Sequence, residues 1–395
     1  MNGMAELLRW KREDEMTVRR ENEELRILSA IGIILVAAGH LGYNLFDLGG
    51  LFPYYSFHVF LFLFVSGYFY RPEAEKEIGR YLARKFLVLM GPYFLWNLAY
   101  GILAALLRRA GFSIGQELSL YTLFLAPFDG GHQFMYHFPS WFVPALFLIE
   151  VINVCMRKAL SVFRLNREWL IFAGTLLLGI ATVWLAIGGH VWGFYKIPGR
   201  LLFMLPGYEL GHLYREKLEK RDTLPDGLYF LIVIGVQILI SLFSGGLAFS
   251  AVWVTSFGNG PVIPYLTVLT GTAFWLRIAR LLASNRSGRG GGIAGWLLVV
   301  GRNTYAIMMH HIFAFFLVKS VFYAVSVLTP LCAEFDSAMY FSEINFIYLP
   351  KGAEVGKWIY LFAGIQIPLL IGRASKMLAG AACRLRVSDN FRKIK

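Results

Sequence analysis

His40 and His58 are the residues of this 395-residue chain best suited to chemistry, because each stands inside a long apolar run. His40 closes IGIILVAAGH at 31–40, and His58 lies in YYSFHVFLFLFVSGYFY at 54–70. An ionisable group in a lipid-like setting is costly and normally faces a protein interior or a wet cavity. A neutral imidazole there can take a proton from a hydroxyl near neutral pH, since its ordinary pKa is about 6.5. The activated hydroxyl can attack an electrophilic carbonyl, and nearby N–H donors stabilise the charge that develops on oxygen. Arg200, Trp141 and Asn303 are candidate donors. The structural alternative is a neutral histidine held by one hydrogen bond to a neighbouring helix.

The elements that must position these groups are membrane helices. With 57% hydrophobic and only 16% charged residues, the composition is that of an all-α polytopic membrane protein. Apolar runs long enough to cross a hydrocarbon core of about 30 Å recur along the chain. They predict about ten transmembrane helices, near 27–46, 51–70, 85–107, 140–156, 168–187, 197–214, 227–244, 261–283, 294–318 and 357–379. Lys and Arg concentrate in alternate loops. With the N-terminus cytoplasmic, the outer face holds only Arg108, Arg109, Lys196, Arg200, Lys319, Lys351 and Lys357, so both termini are expected in the cytoplasm. A charged cytoplasmic segment at 1–26, a membrane domain at 27–380 and a basic cytoplasmic tail at 381–395 follow. The net charge of +13 is then a topology signal, and no nucleic-acid partner is expected.

In the first span Arg26 and His40, fourteen residues apart, fall within about 40° of one helical face and roughly 21 Å apart along the axis. Ser29 is closer still to that face. Glu150 and Glu209 sit near the cytoplasmic ends of their spans and are expected to pair with Arg or Lys. Cys155 and Cys383 fall on the cytoplasmic side and Cys332 outside, so no structural disulfide is expected, and scattered histidines predict no metal site. NRSGRGGGIAG at 285–295 reads as a hinge. The outer segments 108–139 and 319–356 could cap a cavity. The first contains FDGGHQFMYHFPSW, whose aromatic residues suit a sugar ring and whose His132 and His137 read as solvated loop residues.

Six segments in register resemble the acyltransferase-3 family of integral membrane acyltransferases, in particular its branch of fucose O-acetylases and polysaccharide O-acetylases. They are IGIILVAAGH (31–40), YSFHVFLFLFVSGYFYRPE (55–73), RYLARKFLVLMGPYFLWN (80–97), SWFVPALFLIE (140–150), GRLLFMLPGYELGHL (199–213) and GRNTYAIMMHHIF (301–313). The resemblance covers residues 26–380. It implies cytoplasmic acetyl-CoA as donor cosubstrate, with no tightly bound cofactor, and a carbohydrate or lipid-linked glycan acceptor of the cell envelope. His40 matches the family's essential histidine and would be the general base. His58 matches a Phe-His of the branch and ranks second as a catalytic residue.

The family commonly carries Arg or Lys eleven residues before that histidine, where this chain has Ser29. Arg26, one turn earlier, would contact CoA phosphates in its place. Arg84 and Lys85 match a basic pair after the second helix, with CoA binding and positive-inside anchoring as alternative roles. His310 and His311 match a His after a Gly-x-Asn-Ser/Thr segment; at most one would line the site, beside Trp141, Arg200 and Asn303. The resemblance implies a multi-pass protein of a bacterial plasma membrane. A transporter or flippase of glycan-lipids or small solutes is the alternative, disfavoured by the lack of visible inverted repeats. A noncatalytic scaffold would leave His40 and His58 without a task.

Overall fold

The computed structural model describes residues 22–42, 45–46, 48–244, 246–284 and 292–392, with side chains up to Met377. Most of the expected N-terminal segment, the side chains of the basic tail including Cys383, and most of the expected hinge at 285–295 lie outside these residues.

The described chain is helical. Its longer elements are α1 (Glu23–Gly39), α2 (His58–Tyr68), α3 (Ile78–Arg109), α4 (Met135–Val162), α5 (Glu168–Ile187), α6 (Lys196–Leu213), α7 (Asp226–Phe243), α8 (Ile263–Ser284), α9 (Ile293–Gly301), α10 (Thr304–Leu328) and α11 (Lys357–Arg392). No strand occurs among the described residues; the one isolated β-bridge pairs Ser250 with Thr255. Among the described residues, seven helices are long and apolar enough to cross a membrane: α3, α4, α5, α7, α8, α10 and the segment Glu354–Met377, which leads into α11. Large apolar side chains such as Leu95, Leu177, Leu242 and Phe243 remain exposed on them, as lipid-facing surfaces require.

Three expected windows, 27–46, 51–70 and 197–214, are not among these seven, the last because α6 carries Lys196, Arg200 and Glu209, and the ninth window is broken. The first helix is capped by the Asn22 side chain accepting from the Leu25 amide, carries Glu23 and Glu24 in its first turn, and stops at Gly39 instead of running to 46. Gly42 follows with φ +100°, a conformation that turns the chain out of the helix. The second window begins its helix only at His58, because Gly49 and Gly50 adopt positive φ and Pro53 leads into a 3₁₀ turn at Tyr54–Ser56. The ninth window is two helices, broken at Asn303 (φ −126°, ψ 21°). Within α3, Phe86–Met90 forms a π turn in which the Gly91 amide bonds the Phe86 carbonyl. Pro92 follows directly and cannot supply the i−4 donor there, which accounts for the widened turn.

Helix α1 is the hub, in contact with α2, α8, α9, α10 and α11. Helices α2 and α6 pack backbone to backbone. A Cβ at Gly67 would collide with the Tyr208 carbonyl, and one at Gly211 with the Phe64 carbonyl. Gly207 and Gly211 form the small-xxx-small spacing that lets membrane helices approach this closely. Gly67→Ala is therefore expected to force α2 and α6 apart at a cost of about 1–3 kcal/mol, visible as a lower thermal midpoint in detergent. An unchanged midpoint would contradict the close approach.

Candidate active site

A cavity of about 450 Å³ lies where α1, α2 and the start of α4 meet the loop before α8. Its lining includes Gly39, His40, Tyr55, His58, Phe62, His132, Phe138, Trp141, Phe142, Ser250, Val252, Trp253 and Asn345. The expected outer caps thus contribute: His132, Phe138 and Asn345 come from 108–139 and 319–356.

His40 is the C-cap of α1, with φ −79° and ψ −3° and its amide bonded to the Ala37 carbonyl at 3.3 Å. Ending the helix there makes the imidazole half-buried and open to the cavity rather than sealed inside a longer span. Its ring meets Phe138 edge-on at 5.0 Å between centroids and lies 5.3 Å from the His311 ring, tilted by 30°. Among the described residues no side chain hydrogen-bonds it.

The neighbouring imidazoles have their tautomers fixed by backbone. His58 Nδ1 donates to the Tyr54 carbonyl at 2.5 Å, one helical turn back, which leaves Nε2 as the ring's acceptor. His311 Nδ1 donates to the Ile307 carbonyl at 2.7 Å, and its Nε2 is buried without a partner. Of the adjacent pair, His311 is therefore the one beside His40. His310 points elsewhere: its Nδ1 shares a 2.7 Å hydrogen bond with the Tyr100 hydroxyl and its ring packs 4.3 Å from Trp96. The 100° step between successive helical residues separates the two.

His137 is fully buried, not solvated, because a kink at φ −136° and Pro139 fold residues 135–141 inward as the lead-in to α4. It bonds Asn97 at 3.1 Å and the Ser140 hydroxyl at 2.9 Å, and Gln133 donates to the same Asn97 oxygen at 2.7 Å. This network pins the segment that carries Phe138 and Trp141. His132 is half-buried, with Nδ1 donating to the Gly130 carbonyl at 2.9 Å and its ring 4.8 Å from Trp253. Burial pushes its pKa down to about 4; the Gly130 hydrogen bond opposes that, and the charges of Arg200 and Lys196 add to it. It is neutral at physiological pH.

Arg200 and Trp141 are neighbours, with Trp141 in the cavity lining and Arg200 packed behind it. The guanidinium carbon lies 5.2 Å from the Trp141 ring and 5.9 Å from Trp253. Trp253 was not singled out by the sequence; an aromatic in SAVWVTS, between the seventh and eighth expected spans, is its only signal. The loop reaches the cavity through the Ser250–Thr255 bridge, with Val254 at φ +54° and Ser256 at φ +70°. Positive φ at a β-branched residue is strained, and a site that holds Trp253 inward is where such strain is kept.

Other expected site residues lie away from the cavity. Asn303 donates to the Val299 carbonyl at 2.8 Å and accepts from Lys376 at 3.0 Å, eight residues or about 12 Å along the chain from His311. Lys85 pairs with buried Glu150 at 2.6 Å. Arg84 is half-buried, and Arg26 is half-buried in the first turn of α1, at the opposite end from His40. Ser29, where a basic residue was expected, donates its hydroxyl to the Leu25 carbonyl at 2.8 Å. Glu209 pairs with Arg157, which also holds Glu168 at 2.9 Å. No group of His, Cys, Asp or Glu among the described residues is arranged to hold a metal ion, and Cys155 and Cys332 are both free.

A model of the acyltransferase domain family matches residues 22–349, from the Asn22 cap of α1 to the loop before α11. The chain belongs to this acyltransferase family. With seven apolar helices it is a multi-pass membrane acyltransferase. The chain matches no curated protein and no solved structure.

Proposed function

We propose that this membrane acyltransferase moves an acetyl group from cytoplasmic acetyl-CoA to a hydroxyl of a cell-envelope carbohydrate, in the manner of polysaccharide O-acetylases, with His40 as general base. The observation that carries the reading is the half-buried His40 ring at the end of α1, opening into a 450 Å³ cavity walled by His58, Trp141 and Trp253. The dimensions suit a sugar unit, and the indoles offer flat apolar faces for its ring.

In this mechanism the neutral His40 imidazole removes the proton of the acceptor hydroxyl as its oxygen attacks the thioester carbonyl. The tetrahedral oxyanion collapses, the C–S bond breaks, and the departing CoA thiolate recovers the proton from the His40 imidazolium. With Nδ1 of both His58 and His311 held by backbone carbonyls, neither ring presents an N–H to His40 from that nitrogen. Arg26 and Arg84, on the cytoplasmic side in the N-inside orientation, would meet the CoA phosphates. That orientation and a core of ten helices belong to the proposal.

Release of free CoA from acetyl-CoA by purified protein, dependent on added carbohydrate, tests the reading; no acceptor-dependent release would overturn it. Trp141→Ala and Trp253→Ala are each expected to raise KM for the acceptor by roughly three- to tenfold, the loss of one aromatic contact, with KM for acetyl-CoA unchanged. Steady-state kinetics with both substrates varied checks this, and a rise in both constants would count against a sugar platform.

A further inference from the structure

Directly behind Trp141 and Trp253, two of the indoles that line the cavity, lie two cations, Arg200 and Lys196, with Asp129 as the one carboxylate acting on both. Arg200 is 3% exposed, yet among the described residues no carboxylate lies within ion-pair distance of it. Its Nε donates to the Val252 carbonyl at 2.8 Å, its guanidinium rests against the two indoles, and its Nη2 is buried without a partner. Lys196 lies over the other indole contact, 5.6 Å from the Trp253 ring centre, and pairs at 3.2 Å with half-exposed Asp129. Two cations thus share one carboxylate. His132, neutral and bonded to Gly130, adds no further positive charge.

A buried guanidinium whose one counter-ion, Asp129, lies beyond ion-pair distance and is already paired with Lys196 is expensive, and the cation–π contacts offset only part of that cost. The carbonyl of Val252 satisfies one N–H and leaves the fork that matches a carboxylate or phosphate bidentately. Val252, Trp141 and Trp253 all line the cavity that holds His40. Ring contacts run without a gap from one to the other: His40 to Phe138 at 5.0 Å, Phe138 to His132 at 5.3 Å, and His132 to Trp253 at 4.8 Å.

We infer that Arg200 is an anion-recognition residue and that the acceptor is an acidic carbohydrate, bearing a carboxylate or a phosphate on or next to the sugar presented to His40. The inference rests on the acyl-transfer reading above for its use, but not for its test. The sugar ring lies on the indoles, its anionic group at Arg200 fixes the register, and the hydroxyl to be acylated is thereby set against His40. Arg200 discriminates among acceptors; it takes no part in the proton transfers.

The experiment is binding to the intact purified protein, followed by tryptophan fluorescence, with methyl glucuronide, glucose 6-phosphate and neutral methyl glucoside as probes. A charge-assisted pair predicts roughly ten- to hundredfold tighter binding of an anionic probe than of the neutral one. Arg200→Gln is expected to erase the difference by weakening the anionic probe at least about tenfold more than the neutral one, and Arg200→Lys to restore part of it. Preference for the uronide or for the phosphate identifies which anion the site takes. Equal binding of all three probes to the unaltered protein, or an Arg200→Gln loss that is the same for neutral and anionic probes, would overturn the proposal. The second outcome would make Arg200 a structural or oxyanion-stabilising group. Acceptor-dependent CoA release is read separately, so a failed acyl-transfer reading and a failed anion site give different results.

Discussion

His40→Ala is expected to lower acceptor-dependent CoA release by about a hundred- to ten-thousandfold, the range attached to loss of a positioned general base, while the protein stays folded. Survival of the fold follows from the position. The backbone of residue 40 is in an ordinary helical conformation that alanine adopts freely, and its cap hydrogen bond to Ala37 is made by the amide, not the ring. The ring itself is half-exposed to the cavity and holds no neighbouring side chain by a hydrogen bond. Size-exclusion profile and thermal midpoint should therefore match those of the unaltered protein. His310→Phe is the informative control, since His310 bonds Tyr100 and packs on Trp96 away from the cavity. Full activity in His40→Ala would remove the residue from the chemistry and leave His58 as the base to test next.

The second large effect falls on stability, at the far end of α6. Arg157→Ala is expected to destabilise the protein by about 3–5 kcal/mol, because removing one partner of a buried ion pair strands the other. Arg157 and Glu209 are 3% and 1% exposed, and the same guanidinium bridges to Glu168 on α5. One side chain therefore joins α4, α5 and α6. Replacing Arg157→Met together with Glu209→Met is expected to recover part of the loss by removing the more deeply buried of the two stranded carboxylates, Glu168 being the more exposed. Thermal unfolding in detergent compares the three. A single variant as stable as the unaltered protein would mean that water reaches this cluster.

The helical class and the ionic pairing were legible before any tertiary structure. Chains so rich in apolar residues, with runs long enough to cross a bilayer, can satisfy their backbone groups there only in helices or closed barrels, and the run lengths select helices. Glu150 and Glu209 were readable as ion-pair members from their depth, and Lys85 and Arg157 are the partners found. GYELG at 207–211 announces a close helix contact through its spacing. His40 stands out for the same reason: a titratable group in an apolar run needs a purpose.

Tertiary structure alone decided what surrounds it. Apolar-run length cannot show that α1 stops at Gly39, yet that stop turns His40 from a sealed residue into one facing a cavity. Nothing in FDGGHQFMYHFPSW distinguishes a solvated loop from one folded inward, because its burial depends on Asn97, forty residues earlier, accepting from Gln133 and bonding His137. The choice of His311 over His310 required knowing which side of α10 faces α1. Trp253 reaches Arg200 across fifty-three positions, through a loop with no periodic pattern to read. Sequence determines which groups are costly to bury, since that is a property of each residue and its neighbours. Which of them share a cavity is set by long-range packing, and here that packing gathered four imidazoles and two indoles, with an arginine behind the indoles, around the end of one helix.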